Sequence, residues 1–205
     1  MACFFVIIIV WKQLSEVPKM KLIETTVNKN YVYNGKIINV RRDDAALYDG
    51  KPCTREVVEH NGGVCVAAIT DENELLFVRQ FRYPYMEVII ELPAGKLEKG
   101  EDPFEAGKRE LEEETGHIAS KYYDLGKFYP TPGYCGEIIH LYAASGLTKT
   151  QMNPDEDEYI EVEKIPVEKA VEMVLDGEIP DGKTQALVMR VAEMMRTGRI
   201  EVKPE

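Results

Sequence analysis

The chain lacks several features that would settle its class at once, and each absence excludes something. No apolar run is long enough to span a bilayer as a helix: the longest, ACFFVIIIVW at residues 2–11, covers ten residues where about twenty are needed. That stretch is preceded by no basic leader and followed by no small-residue cleavage site, so it does not read as a secretory signal. It reads as an extension outside the folded unit, over residues 1–19, with an added β-strand or a weak membrane anchor as the other readings. The chain also lacks positive charge overall. Its formal net charge is −11, which argues against non-specific binding to nucleic acid or to an anionic membrane. A small anionic substrate remains open, because bound divalent cations reverse a local field. The four cysteines, Cys3, Cys53, Cys65 and Cys135, form no C-x-x-C pair. They read as free thiols of a reducing compartment, the cytoplasm. There is no internal repeat, and no D-x-[DN]-x-[DN]-G loop of the kind that binds calcium.

What is present suits a globular enzyme. Of the 205 residues, 44% are hydrophobic, enough for one domain with a small appendage. Residues 20–59 are strand-like and charged, with hairpin signals at Asn34-Gly35 and Asp49-Gly50. Such a sheet buries little by itself and is expected to form a small N-terminal antiparallel β domain. Residues 60–205 form the main domain. Strands are expected at 62–70 (GGVCVAAIT), 74–82 (ELLFVRQFR) and 88–95 (VIIELPAG), the last halted by Pro93 and Gly95. A helix should start at Asp102 as N-cap, with Pro103 at N1 and Glu105 at N3 in a capping-box arrangement, and stop at Gly116. Strands at 123–130 and 137–145, an acidic loop at 153–159, a strand at 160–165 and helices at 167–176 and 183–197 complete an α+β order that is no βαβαβ series.

The segment RELEEETG, residues 109–116, places four glutamates in five positions. At about 100° per residue, Glu110, Glu113 and Glu114 share one face. Glu112 lies on the opposite side with Glu105. Phe104, Leu111 and Thr115 form an apolar flank suited to docking on a sheet. Three carboxylates at one spot would take up protons or repel, and a hard divalent cation such as Mg²⁺ or Mn²⁺ removes that conflict.

From Gly95 the text runs Gly95, five residues, Glu101, seven residues, then Arg109-Glu110-Leu111-Glu112-Glu113-Glu114-Thr115-Gly116. This resembles the signature of the Nudix hydrolase superfamily, G-x5-E-x7-R-E-U-x-E-E-x-G-U, with U aliphatic. One departure is His117 at the last U position, a packing residue. The resemblance implies a Nudix fold, a mixed sheet sandwiched by helices. It implies two or three metal ions held by Glu110, Glu113 and Glu114, with the Ala94 carbonyl and Glu101 adding to the cluster and Arg109 holding the glutamates in place.

The flanking text VRQFRYPYMEVIIELPAG and FYPTPGYCGEIIHLYAA resembles the ADP-ribose pyrophosphatase branch, in which a proline lies sixteen residues beyond the last signature glycine. Here that position is Pro132. The pair Cys135-Gly136 departs from the small polar or acidic pair of many members. The resemblance implies metal-dependent hydrolysis of ADP-ribose to AMP and ribose 5-phosphate, with a base from the acidic loop, Glu158 ahead of Glu156. Substrate contacts are expected from Arg82, Arg55, Pro132, Glu137, Tyr31 and Tyr33, the two tyrosines as an adenine clamp. Arg79 reads as a surface residue. A homodimer is also implied, its N-terminal sheets exchanged between subunits. Other nucleoside diphosphate sugars or dinucleotides are the alternative substrates, and an inactive nucleotide-binding module of the same fold is the alternative class.

Overall fold

The structure, a computed structural model, describes residues 22–154 and 158–202, so the expected extension at 1–19 lies outside the described residues. The chain divides into two compact units, Met1–Val57 and Val58–Glu205. In the first unit, β1 (Thr25–Asn28), β2 (Tyr31–Asn34) and β3 (Ile38–Ala46) pair antiparallel, with β3 between the other two. Strand β4 (Pro52–His60) joins β3 and carries the chain into the second unit. Both turn dipeptides close hairpins: Gly35 N–H donates to Ile38 O at 3.0 Å, and Gly50 N–H to Leu47 O at 2.9 Å. Only Asp43 and Ala45 are buried among the unit's described residues, so its apolar core is slight.

The second unit holds two sheets. The first is mixed, in the order β8 (Ala94–Lys96), β5 (Gly63–Ala68), β10 (Ile139–Lys149), β9 (His117–Phe128). Strands β5 and β10 run parallel and the other neighbours antiparallel. The second sheet is antiparallel, in the order β11 (Ile160–Pro166), β6 (Glu74–Arg82), β7 (Glu87–Glu91). Three helices are present among the described residues: α1 (Pro103–Thr115), α2 (Val167–Leu175) and α3 (Gly182–Arg196). Strand β5 is buried on both faces, which is why it reads as a continuous apolar run. Val64, Val66 and Ala68 pack with Ala106 and Leu111 of α1. Cys65, Ala67 and Ile69 pack with Leu187, Val188 and Val191 of α3. This is the expected mixed sheet between helices.

Two expected elements are corrected. Residues 88–95 are not one strand. Pro93 has no N–H to continue a ladder, and the chain changes sheets there: β7 pairs with β6, whereas β8 pairs with β5. Pro93 O accepts from Val66 N–H at 2.9 Å in the crossing. Strand β9 begins at His117, directly after α1, and not near Tyr123, because β10 extends to Lys149 and offers it a partner over its whole length. The cysteines Cys53, Cys65 and Cys135 are free thiols.

Candidate active site

Helix α1 is fixed at both ends by its own sequence. Asp102 accepts hydrogen bonds from Phe104 N–H at 3.0 Å and Glu105 N–H at 3.2 Å, satisfying donors that a first turn leaves open. The return half of the expected capping box is replaced by an ion pair, Glu105 taking Lys108 at 2.9 Å. Gly116 ends the helix at φ +64°, its N–H donating to Glu112 O, in the left-handed conformation that favours glycine. Next to it, His117 Nδ1 lies 2.8 Å from Thr115 O, a local contact that gives the ring a packing place at the helix end.

Helical phase separates the glutamates. Glu110 is 8% exposed and Glu114 only 2%, Glu113 is half-buried and Glu112 exposed. Leu111 and Thr115 are buried on the docking flank. Phe104, 39% exposed, instead covers the flank's edge, with edge-on contacts to Tyr122 and Tyr142 at 5.3 and 5.8 Å.

The segment 94–95 meets the two buried carboxylates. Ala94 N–H donates to Glu114 Oε2 at 2.9 Å. Gly95 lies so close to Glu110 that a Cβ there would overlap its carboxylate. Arg109 gathers the rest. Its Nε donates to Glu101 Oε1 at 3.0 Å and its Nη1 to Glu113 Oε2 at 2.8 Å, with Glu110 Oε1 at 2.9 Å from the same Nη1. The three carboxylates therefore share a side of the helix without closing round one point, and among the described residues no ready-made metal cage of three such groups is present. Glu113 and Glu110 turn to the adjacent guanidinium because like charges otherwise face each other.

Burial dominates the electrostatics. It pushes the Glu110 carboxyl up to about 7, against the opposing pull of Arg109 and with a further push from Glu113 and Glu158. It pushes Glu114 up to about 8 against the Ala94 hydrogen bond, with Glu110 and Glu158 adding to the rise. Arg109 holds Glu101 below the ordinary carboxylate value, and Glu101 in turn raises Arg109. Two nearly buried carboxylates that retain protons near neutrality, a third beside them and a glycine cradle make an oxygen donor set. It fits a hard divalent cation, whose charge would relieve the conflict between these groups.

The other expected residues are distributed as follows. Glu158 lies close enough for its charge to act on both Glu110 and Glu114. Glu156 lies outside the described residues. Pro132 is exposed in a turn closed by Cys135 N–H to Thr131 O at 3.0 Å. Glu137 Oε1 lies 3.4 Å from His60 Nδ1, and Gly62 N–H also reaches that nitrogen, at 3.0 Å. Arg79 pairs with Glu163 at the surface, 2.8 Å. Arg82 grips Glu91, through Nε at 2.6 Å and Nη2 at 2.8 Å. Arg55, Tyr31 and Tyr33 belong to the first unit, where Arg55 Nε donates to Glu24 at 2.8 Å and the tyrosines lie half-exposed on β2. Glu91 and its second partner Lys183 were not anticipated. The available signal was a single carboxylate inside the apolar run VIIEL, which a buried strand accepts only when the charge is paired.

An acidic helix against the Ala94–Gly95 strand, an arginine gathering its carboxylates and a mixed sheet between helices make a site of the kind that a cation-assisted hydrolase would use. The chain belongs to the Nudix family: the NUDIX domain model matches residues 59–187. Residues 24–58 match the nucleoside diphosphate sugar hydrolase N-terminal domain. Over 163 residues, 78% of this chain and 88% of the relative, it is 43% identical to the ADP-ribose pyrophosphatase of Bacillus subtilis (strain 168). It is 41% identical, with the same coverage, to a methanol dehydrogenase activator of Bacillus methanolicus. Among solved structures, an ADP compounds hydrolase superposes with a TM-score of 0.75 at 22% identity, covering 86% of this chain and 97% of the other, a likeness of fold.

Proposed function

We propose that this Nudix hydrolase cleaves the diphosphate of ADP-ribose to AMP and ribose 5-phosphate with the help of Mg²⁺ or Mn²⁺, two or three ions per site. The buried pair Glu110–Glu114 against Ala94 and Gly95 carries the chemistry. The relative that is 43% identical over 88% of its own length carries the substrate.

Glu110, Glu113 and Glu114 would hold the ions, with the Ala94 carbonyl and Glu101 at the edge of the cluster. Bound cations of this kind neutralise a diphosphate and lower the pKa of a coordinated water. Glu158 accepts the proton of the attacking water, its charge already acting on Glu110 and Glu114, and Glu156 is the second candidate for that role. Arg109 keeps the carboxylates in register through its bonds to Glu101, Glu110 and Glu113. Arg82 turns a guanidinium to the phosphates. Pro132 and Glu137 line the ribose side. Arg55, Tyr31 and Tyr33 contact the adenosine, and the protein works as a homodimer.

A second reading, another nucleoside diphosphate sugar as substrate, is favoured by the description of the domain matched at residues 24–58. A comparison of kcat/KM across ADP-ribose, ADP-glucose, NADH and an alarmone with Mg²⁺ separates the two. ADP-ribose should lead the panel and release AMP. Absence of turnover with every member would overturn the assignment of an active hydrolase.

A further inference from the structure

Glu91 ends β7 and is 2% exposed, yet it is the meeting point of two cations from different elements. Arg82, at the end of β6, forks onto it with both Nε and Nη2. Lys183, in the first turn of α3, reaches the same carboxylate with Nζ at 2.5 Å and Asp181 at 3.0 Å. Burial alone would raise the Glu91 carboxyl, but the bonds and charges of Arg82 and Lys183 outweigh it and leave it below its ordinary value. The carboxylate is thus ionised and held from both sides.

The grip continues along the chain. Leu92 N–H donates to the buried Thr184 Oγ1 at 3.0 Å, Pro93 O takes Val66 N–H, and Ala94 N–H binds Glu114. Each residue from 91 to 94 therefore has a fixed polar contact, and the first two come from the start of α3. Arg82 is more open: its side chain is 37% exposed, and Nη1 donates to no described residue. A long arginine left to itself samples many rotamers, and a fork onto a carboxylate removes most of that freedom.

We infer that Glu91, secured by Lys183 from α3, is a positioning residue that holds Arg82 with the Nη1 edge, which no described residue takes, turned to the diphosphate beside Glu114. The inference rests on the proposed reading of Arg82 as a phosphate contact and adds what aims it. In this arrangement Glu91 touches no substrate, and its effect passes through Arg82. Lys183 acts one step further back: it keeps a buried carboxylate from depending on Arg82 alone, so that Arg82 does not have to surrender Nη1 to satisfy it.

Nuclear magnetic resonance and kinetics test this on the full chain. The Arg82 Nε–H of the wild type should exchange slowly with water. It should exchange at least about tenfold faster in Glu91→Gln and nearly at the wild-type rate in Lys183→Arg, which keeps the charge. This readout does not need catalysis, so it judges the clamp even if ADP-ribose is not the substrate, and an inactive wild type would count against the proposed function alone. In kinetics, Glu91→Gln and Arg82→Ala should each raise KM about tenfold or more with kcat changed less. The double variant should be no worse than Arg82→Ala, since Glu91 has nothing left to aim. Additive losses, or a fast-exchanging Arg82 Nε–H in the wild type, would overturn the inference. Should Glu91→Gln fail to fold, Lys183→Met takes its place, with the same tenfold KM increase expected and Lys183→Arg restoring it. A wild-type KM in Lys183→Met would be equally decisive against it.

Discussion

Glu112 and Glu114 are two residues apart and occupy opposite environments. Glu114 is buried and bonded to Ala94 N–H, whereas Glu112 faces solvent. Glu114→Gln keeps the shape and removes the charge, so kcat should fall by several orders of magnitude, on the order of 10³ or more, as for loss of a metal-assisted step. Glu112→Gln should leave kcat within about twofold; equal losses would refute the division of roles. The same burial has a thermodynamic consequence. In the unfolded chain both carboxyls ionise near the ordinary carboxylate value of 4.5, but in the fold Glu110 rises to about 7 and Glu114 to about 8. Between these limits the folded state holds protons that the unfolded state has released, so stability is full below the lower value and declines as pH rises through the upper ones. Metal-free protein should therefore melt lower at about pH 8.5 than at about pH 5.5, by roughly 5 °C. Mg²⁺ should recover the loss at high pH, since it binds the ionised forms. A flat melting curve across this range in chelator would contradict the burial argument. At this scale the sequence was informative where spacing fixes direction, as for the four glutamates on one helix. It marks Glu91 as a charge in need of a partner but is silent on that partner, because Lys183 lies 92 positions away and is brought there only by the packing of α3.

Elements were legible in proportion to their local signals. Helix α1 carries an N-cap, a proline at N1 and a C-terminal glycine, and its bounds match expectation to the residue. The stretch 88–95 reads as one strand because an apolar run says that a strand is buried and not which sheet it joins. Pro93 reads as a stop and is a change of sheet, and through it Ala94 and Gly95 arrive against α1. Gly95 is the test of that arrangement. An alanine there would put its Cβ into the Glu110 carboxylate, and because only the end of that side chain is in the way, the carboxylate and neither backbone has to move. Gly95→Ala should shift the melting temperature little, since a side-chain end can swing to another rotamer, but it should lower kcat/KM about a hundredfold by displacing Glu110. Wild-type activity in this variant would mean that α1 and β8 do not meet as described.

At the scale of the whole molecule, the two units differ in how well each could stand alone. The second has cores on both faces of its mixed sheet. The first has strands β1 and β2 exposed along their length, with Leu22, Ile23, Val27 and Val32 each at least two-thirds exposed. Apolar surface on that scale, on a sheet too small to bury it internally, is stabilised by covering it. A second copy of the chain is the partner that the proposed homodimer provides. Light scattering at micromolar concentration should then return twice the mass of one 205-residue chain. Replacing Val27 and Val32 together by lysine, which puts charge on the exposed strands, should shift the mass toward one chain. The same change should leave the Glu110–Glu114 site able to bind Mg²⁺, because both residues lie in the second unit, while KM for ADP-ribose rises if Tyr31 and Tyr33 contact the adenosine. A monomeric wild type with full ADP-ribose activity would remove the dimer from the account and leave the exposed face of the first unit to be explained by something else.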